Sequence, residues 1–401
     1  MVLERHSREY VEQRQRAGVI DPRAARMFRE WGLEDRVLDG APFAPVLNFR
    51  VDGETRPFRY VTDDHVDGRF CPQQVLVRNL IDVFVSDGGD LRFEAEDVEL
   101  EDLTGPRPQV RYRDSTGVTR TITCDFIAGC DGDHGVSRAS IPDNVLTRQS
   151  HEYGYAWLTV LADAPANHQS MMAIHDRGFA GQFARGPQAS RFYLQCPLDT
   201  AVEEWTDDRI WEEIEARFGE PVTAKGPITS KTLVPLRSVV YDPMSYGRLY
   251  LLGDAAHIVP PMSAKGMNLA LHDADVFATA VCKQVKEQDA GPLEAYSATC
   301  LKHVWNYQAY AAWFTDLMHD AGDVSYHGEF RRSLEARVEL PGLRRMVHRP
   351  HARRGRRLLP RRVPAQPGTR RVRTPLRLRD RQPALRRVPH RPELSPHLLA
   401  E

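Results

Sequence analysis

The chain has 401 residues, of which 41% are hydrophobic and 27% charged, a length suited to two domains and a balance suited to a folded protein with a water-facing surface. No apolar run is long enough to span a membrane, and Met1-Val2-Leu3-Glu4-Arg5 opens no apolar leader. The six cysteines show no paired spacing, so a cytoplasmic protein without disulfides or a bound metal is expected.

In chain order, residues 1–5 read as the end of a strand with Glu4 as its terminal carboxylate, or with Glu4 as only a solvated charge. Arg14 and Arg16, one residue apart in an extended loop, point the same way and suit an anion; alone they also suit a solvated surface pair. Residues 24–37 predict one amphipathic helix with Met27, Phe28, Trp31 and Leu33 inward. Weak alternation over 46–60 predicts strands, and Leu76, Leu80, Ile81 and Phe84 give the stretch after Pro72 a helical spacing. Strands at 91–98, 109–114 and 119–124 predict a small meander. The apolar run 126–129 enters a Gly-Cys-Asp-Gly turn, in which Asp131 either caps the turn or meets a ligand.

From about Tyr153 the pattern turns to strands, at 156–162, 171–175, 179–184 and 191–197. An acidic helix over 207–218 carries Trp211, Ile214 and Phe218 inward, so the sheet has one covered face. Residues 248–252 are a short apolar run ending at Gly253-Asp254, which predicts a buried strand. Pro260-Pro261 interrupts any regular element. A helix is then expected from Lys265, with Met267, Ala270, Leu271, Ala274 and Phe277 at three/four spacing and Ser263 at the N-cap. A carboxylate at a strand end, followed by a helix N-terminus, suits a ligand with hydroxyl groups and a developing negative charge. Residues 293–318 read as an aromatic-rich helical packing layer. Residues 341–401 hold eighteen Arg, no Lys, ten Pro and three acids, about +15, leaving the body near −16. That tail is expected to be disordered, and reads either as a binder of nucleic acid or an acidic partner, or as out-of-frame translation.

The run Gly253-Asp254-Ala255-Ala256-His257, with Pro261-Met262-Ser263-Ala264-Lys265-Gly266-Met267-Asn268 behind it, resembles the second flavin-binding motif of the FAD-dependent aromatic hydroxylases. Within that family it is similar to the 4-hydroxybenzoate 3-monooxygenase (p-hydroxybenzoate hydroxylase) group, over roughly residues 2–330. The resemblance implies an α/β fold: a Rossmann-like FAD-binding domain with an inserted, mostly antiparallel β-sheet substrate domain. The expected division is 1–150 and 246–330 for FAD, 151–245 for substrate, and 341–401 as the tail. The implied activity is hydroxylation of a small aromatic carboxylic acid with NAD(P)H and O2 through a flavin hydroperoxide, and a homodimer is one assembly it allows.

Carried over residue by residue, the resemblance assigns Glu4, Arg14, Arg16, Gln73, Asp131, Asp254, Lys265, Gly266, Met267 and Asn268 to FAD. It assigns Arg5, Tyr10, His134 and Arg237 to the nicotinamide cofactor, with Arg8 and Arg138 beside them and NADPH favoured over NADH. Arg185 and Arg191 fall at positions for a substrate carboxylate, Pro261 at the position whose carbonyl meets a ring hydroxyl, and Ala264 at the flavin edge. Pro261 and Arg185 are the candidate catalytic residues. Three positions depart from the family pattern: Met172 replaces a tyrosine, Phe183 a serine and Met262 a threonine. Loss of the tyrosine removes a proton acceptor for a phenol, so an aminobenzoate or related acid is the alternative substrate. The Gly-x-Gly-x-x-Gly loop expected roughly twenty residues before Glu4 is not in the sequence, so weak FAD binding is expected. An inactive fragment, or a nucleic-acid-binding protein acting through the tail, is the reading from a different class.

Overall fold

The structure is a computed structural model that describes residues 1–13, 18–43, 47–51, 54–58 and 68–319. These lie in the first of the chain's two units, Met1–His348; the second, Arg349–Glu401, lies outside the described residues, as do Arg14, Arg16 and the whole Arg/Pro tail.

Period-two alternation builds an eight-stranded sheet. Its order is His257–Ile258, Ile228–Asp242, Thr147–Ala162, Ala189–Pro197, Ala180–Gly186, Ser170–Ile174, Leu47–Val51 and Glu54–Phe58. All neighbours pair antiparallel except Ser170–Ile174 with Leu47–Val51, which is parallel. One face presents Ala156, Leu158, Val160, Phe192 and Leu194 to the helix Asp207–Phe218, whose Trp211, Ile214 and Phe218 close that core. This helix has the predicted bounds because both ends are signalled. Thr206 accepts from Arg209 N at its start, and Gly219 turns left-handed (φ +64°) at its end.

The opposite face carries Tyr155, Trp157, Met172, Ile174 and Leu236. It packs on Phe314, Leu317 and Met318 of the helix Tyr296–Met318, and on Met262. Elsewhere, Ile127–Gly129 lies parallel to Leu249–Leu251, in register Gly129 with Leu251. Leu249, Tyr250 and Leu251 are all buried, as a strand covered on both sides requires. Val2–Leu3 pairs parallel with Leu91–Arg92, and the expected meander forms from Glu96–Glu101, Gln109–Arg113 and Thr119–Thr123.

Four local expectations need correction. The single helix over 24–37 is two, Pro22–Glu30 and Glu34–Val37, separated where Gly32 takes φ +69°. Trp31 therefore sits at the break, 37% exposed, with its Nε1 donating to Asp275 at 3.1 Å. The strand over 91–98 stops at Arg92 and restarts at Glu96. Ser263 is not the cap of the next helix: Gly266–Glu287 has Lys265 at its N-cap, with no side chain capping it.

Candidate active site

The strand Leu249–Leu251 runs into Gly253, which adopts φ +61°. A Cβ there would lie 3.0 Å from Ala270 Cβ, so the turn needs glycine on two counts. Asp254 follows with an exposed carboxylate that makes no hydrogen bond or ion pair among the described residues. Asp273, two turns into the next helix, reaches back to hold this turn. Its Oδ2 accepts from Gly253 N at 2.9 Å and from His257 Nε2 at 2.7 Å, and both side chains are buried. Because Ile127–Gly129 runs parallel to Leu249–Leu251, Asp131 and Asp254 emerge from the same end of neighbouring strands, where open α/β sheets take their ligands.

Beyond Pro260 a short turn, Pro261–Ser263, leads to Ala264 in the left-handed region (φ +51°) and then to the uncapped N-terminus at Gly266. A Cβ on Gly266 would make only an ordinary contact, with Val259 Cγ2 at 3.8 Å. Asn268 ties this loop to a distant segment. Its Oδ1 accepts from Asp21 N, and its Nδ2 donates to Val19 O and Ala264 O, each at 3.0 Å. Lys265 Nζ pairs with Asp21 Oδ2 at 3.0 Å, while Asp21 Oδ1 caps the helix Pro22–Glu30 through Ala24 N. Burial alone would raise the Asp21 carboxyl. The Lys265 ammonium and the Ala24 amide outweigh it and hold that carboxyl below its ordinary range. Met267 packs against the core cluster that holds Ile20 and Phe28, and Gln73 opens the helix Gln73–Ser86 directly after Pro72.

Asp131 Oδ2 accepts from Ser137 N at 2.8 Å, at the start of the short helix Val136–Ala139. Two residues on, Asp133 pairs with both Arg138 and Arg237, and exposed His134 lies 3.7 Å from it. Arg138 also stacks over Tyr241 at 4.2 Å. Glu4 directly follows the strand Val2–Leu3 and accepts from His6 N at 2.8 Å. Arg5 is exposed, the Tyr10 ring packs tilted on His6 with centroids 4.2 Å apart, and Arg8 is held by Glu12 and Asp82.

The inner sheet face brings the remaining candidates together. Arg191 lies directly across from Phe183, Arg185 projects two residues further along, and Tyr193 and Met172 both flank Gly181. Arg185 and Arg191 are half-buried. Burial pushes the Arg185 guanidinium below its ordinary value and Arg191 adds to that, against a hydrogen bond with the Tyr193 hydroxyl. Arg191 Nε makes no hydrogen bond among the described residues. Away from the arginines the face is apolar: Met172, Phe183 and Met262 share one cluster with Tyr155 and Trp157. Pro261 is exposed, and its carbonyl accepts from Ala264 N at 2.9 Å, leaving one lone pair. A cavity of about 300 Å³ opens at the arginine end, lined by Arg185, Gln169, Asp163, Gln74 and Thr229.

The FAD binding domain family model matches residues 1–311. The chain is also 35% identical, over 331 residues, to p-hydroxybenzoate hydroxylase of Acinetobacter baylyi, covering 80% of each protein. The chain belongs to the FAD-dependent aromatic hydroxylases, in their p-hydroxybenzoate hydroxylase group. Other members of the family are further away. Kynurenine 3-monooxygenase of Salinispora tropica is 29% identical over 209 residues, 47% of this chain and 44% of that protein. Among solved structures, aklavinone-11 hydroxylase with FAD and aklavinone superposes with TM-score 0.67 at 19% identity, over 80% of this chain and 65% of that one. p-Nitrophenol 4-monooxygenase from Pseudomonas putida superposes with TM-score 0.70 at 18% identity, over 86% and 89%. At such identities these two likenesses establish the hydroxylase fold alone.

Two polar side chains on this sheet face, His319 and Tyr193, were not singled out from the sequence. His319 follows the helix Tyr296–Met318 and is fully buried against the sheet face. Trp157 Nε1 donates to His319 Nε2 at 2.7 Å, which places the ring proton on Nδ1, where it is given to Thr315 O at 2.7 Å. Tyr155 stacks on the same ring at 4.9 Å. Tyr193 was the accessible miss, since it lies two residues beyond Arg191 and so on the same face. Among the described residues no His, Cys, Asp or Glu cluster suits a metal, and no helix is long and apolar enough to cross a membrane.

Proposed function

We propose that this hydroxylase acts on a small aromatic carboxylic acid, with NAD(P)H and O2 as co-substrates. One observation carries the reading: Arg185 and Arg191 stand side by side at the end of an otherwise apolar, aromatic-lined sheet face. Burial and the neighbouring charge of Arg191 disfavour the Arg185 guanidinium, a bound anion relieves that, and a planar carboxylate matches the donors of both arginines. The apolar remainder suits the ring.

The residues present fit FAD. Asp254 offers an exposed carboxylate to hydroxyl groups, and the helix at Gly266 offers N–H groups that no side chain caps. Gln73 would flank the ring and its chain, and Asp131 the neighbouring strand end. Lys265 and Asn268 hold the Asp21 segment against the loop, which fixes the walls instead of touching the ring with their own polar atoms. Bound FAD supplies dioxygen activation, taking two electrons from the nicotinamide so that one oxygen atom enters the ring and the other leaves as water. The chain's own part is placement and exclusion of water. Arg185 and Arg191 would anchor the acid, the remaining lone pair of the Pro261 carbonyl would accept from a ring substituent, and Met172, Phe183, Met262 and Trp157 would keep the ring dry. For the nicotinamide, Arg237, His134 and exposed Arg5 are the basic groups available.

The apolar end also bears on substrate choice. Met172 and Met262 give a phenol no proton acceptor, which favours a substrate that reacts without ionising, such as an aminobenzoate. Steady-state turnover on 4-hydroxybenzoate and 4-aminobenzoate, with both nicotinamides and with hydroxylated product quantified, tests the reading. Product from neither acid would sink the assignment, and strong preference for the phenol would sink the aminobenzoate alternative.

A further inference from the structure

Ser263 is 3% exposed, yet its Oγ makes no hydrogen bond among the described residues. An unpartnered buried hydroxyl costs folding free energy, so such groups are kept where something outside the chain completes them. Ser263 lines a crevice with Val19, Ile20, Asp21, Ala264 and Lys265, at the mouth of the uncapped helix Gly266–Glu287. The polar groups around it are engaged with one another: Lys265 with Asp21, Asp21 with Ala24 N, and Asn268 with Val19, Asp21 and Ala264. The crevice measures about 10 Å³, room for a single oxygen atom. A lone donor, a one-atom crevice and the positive end of a long helix together suit a carbonyl oxygen that gains negative charge.

We propose that Ser263 Oγ donates a hydrogen bond to an exocyclic carbonyl oxygen of the flavin ring, and that this bond favours the reduced ring. The inference rests on the reading that FAD lies before this helix. The test loads the full chain with FAD and compares wild type, Ser263→Ala and Ser263→Thr by visible spectrum and midpoint potential, with melting temperature of the FAD-free protein alongside. Loss of one hydrogen bond to a charged acceptor should weaken binding of reduced relative to oxidised flavin about tenfold. That lowers a two-electron midpoint by about 30 mV, and threonine should restore it. Deleting an unpartnered hydroxyl should leave the FAD-free melting temperature unchanged or higher. A wild type that takes up FAD while Ser263→Ala keeps the same potential and spectrum overturns the inference, the hydroxyl then being completed by a water. A lower melting temperature of FAD-free Ser263→Ala overturns it too, as a structural role. A wild type that takes up no FAD overturns the placement of the flavin itself, and this inference with it.

Discussion

His257 donates from Nε2 to Asp273 Oδ2 across 2.7 Å, with both side chains out of contact with solvent. The same oxygen holds the amide of Gly253, so one carboxylate on the 266–287 helix fixes the turn that displays Asp254. Replacing Asp273 with Ala strands two buried donors at once. The expected loss is about 3 kcal/mol of unfolding free energy, read from the urea midpoint. A loss below about 1 kcal/mol would show that the turn is held by other means.

Acid should weaken the fold through His272. Burial pushes its pKa from 6.5 down to about 3, with Arg23, His303 and His257 adding to the effect and Asp21 opposing it. Arg23 donates to His272 Nδ1 at 2.7 Å, a bond that the protonated ring cannot accept. The folded-state pKa is the lower one, so the unfolded chain binds the extra proton first. The contribution is complete above pH 6.5 and disappears progressively toward pH 3. Urea midpoints between pH 7 and pH 4.5 should fall more steeply for the wild type than for His272→Gln. Parallel slopes would remove His272 from the acid response.

Arg185→Met should separate binding from stability. A charge-assisted pair with a carboxylate is worth about 1.5–3 kcal/mol, so affinity for 4-hydroxybenzoate or 4-aminobenzoate should fall roughly tenfold to a hundredfold by calorimetry. The ligand-free protein should lose little, because burial and Arg191 already disfavour that guanidinium. Unchanged affinity would move the acid group elsewhere on the sheet.

Met172→Tyr returns a phenol hydroxyl to a sheet face that offers few proton acceptors. Relative kcat for 4-hydroxybenzoate over 4-aminobenzoate should rise, with its pH profile shifting toward ionised substrate. Met172 is only 7% exposed, so a small drop in melting temperature should accompany the change. If the ratio of the two substrates stays fixed, position 172 does not select between them.

The sequence carried what is local. Apolar runs and end signals marked Leu249–Leu251 and Asp207–Phe218, because a covered strand and a capped helix write themselves into consecutive residues. Contacts across long separations left no such trace. The bond from Asp21 N to Asn268 spans 247 positions and that of Trp157 with His319 spans 162, and neither partner is unusual in its own neighbourhood. Gly32 shows the intermediate case: apolar residues on both sides of it, Met27, Phe28 and Trp31 before and Leu33 after, read as one helix through a residue that turns the chain left-handed. Pro235 likewise sits in the 15-residue strand Ile228–Asp242, tolerated because pairing with Thr147–Ala162 shifts register beside it.

In the turn Pro261–Ser263, consecutive side chains enter different compartments, Met262 among the aromatic residues of the sheet face and Ser263 beside Val19 and Asp21. One step along the backbone thus joins the wall that would recognise the ring to the wall that would set the flavin's appetite for electrons. Breeding this protein toward new aromatics by varying position 262 alone would disturb the neighbouring chamber as a side effect. Libraries that randomise 262 and 263 as a pair should recover variants that single-site libraries discard.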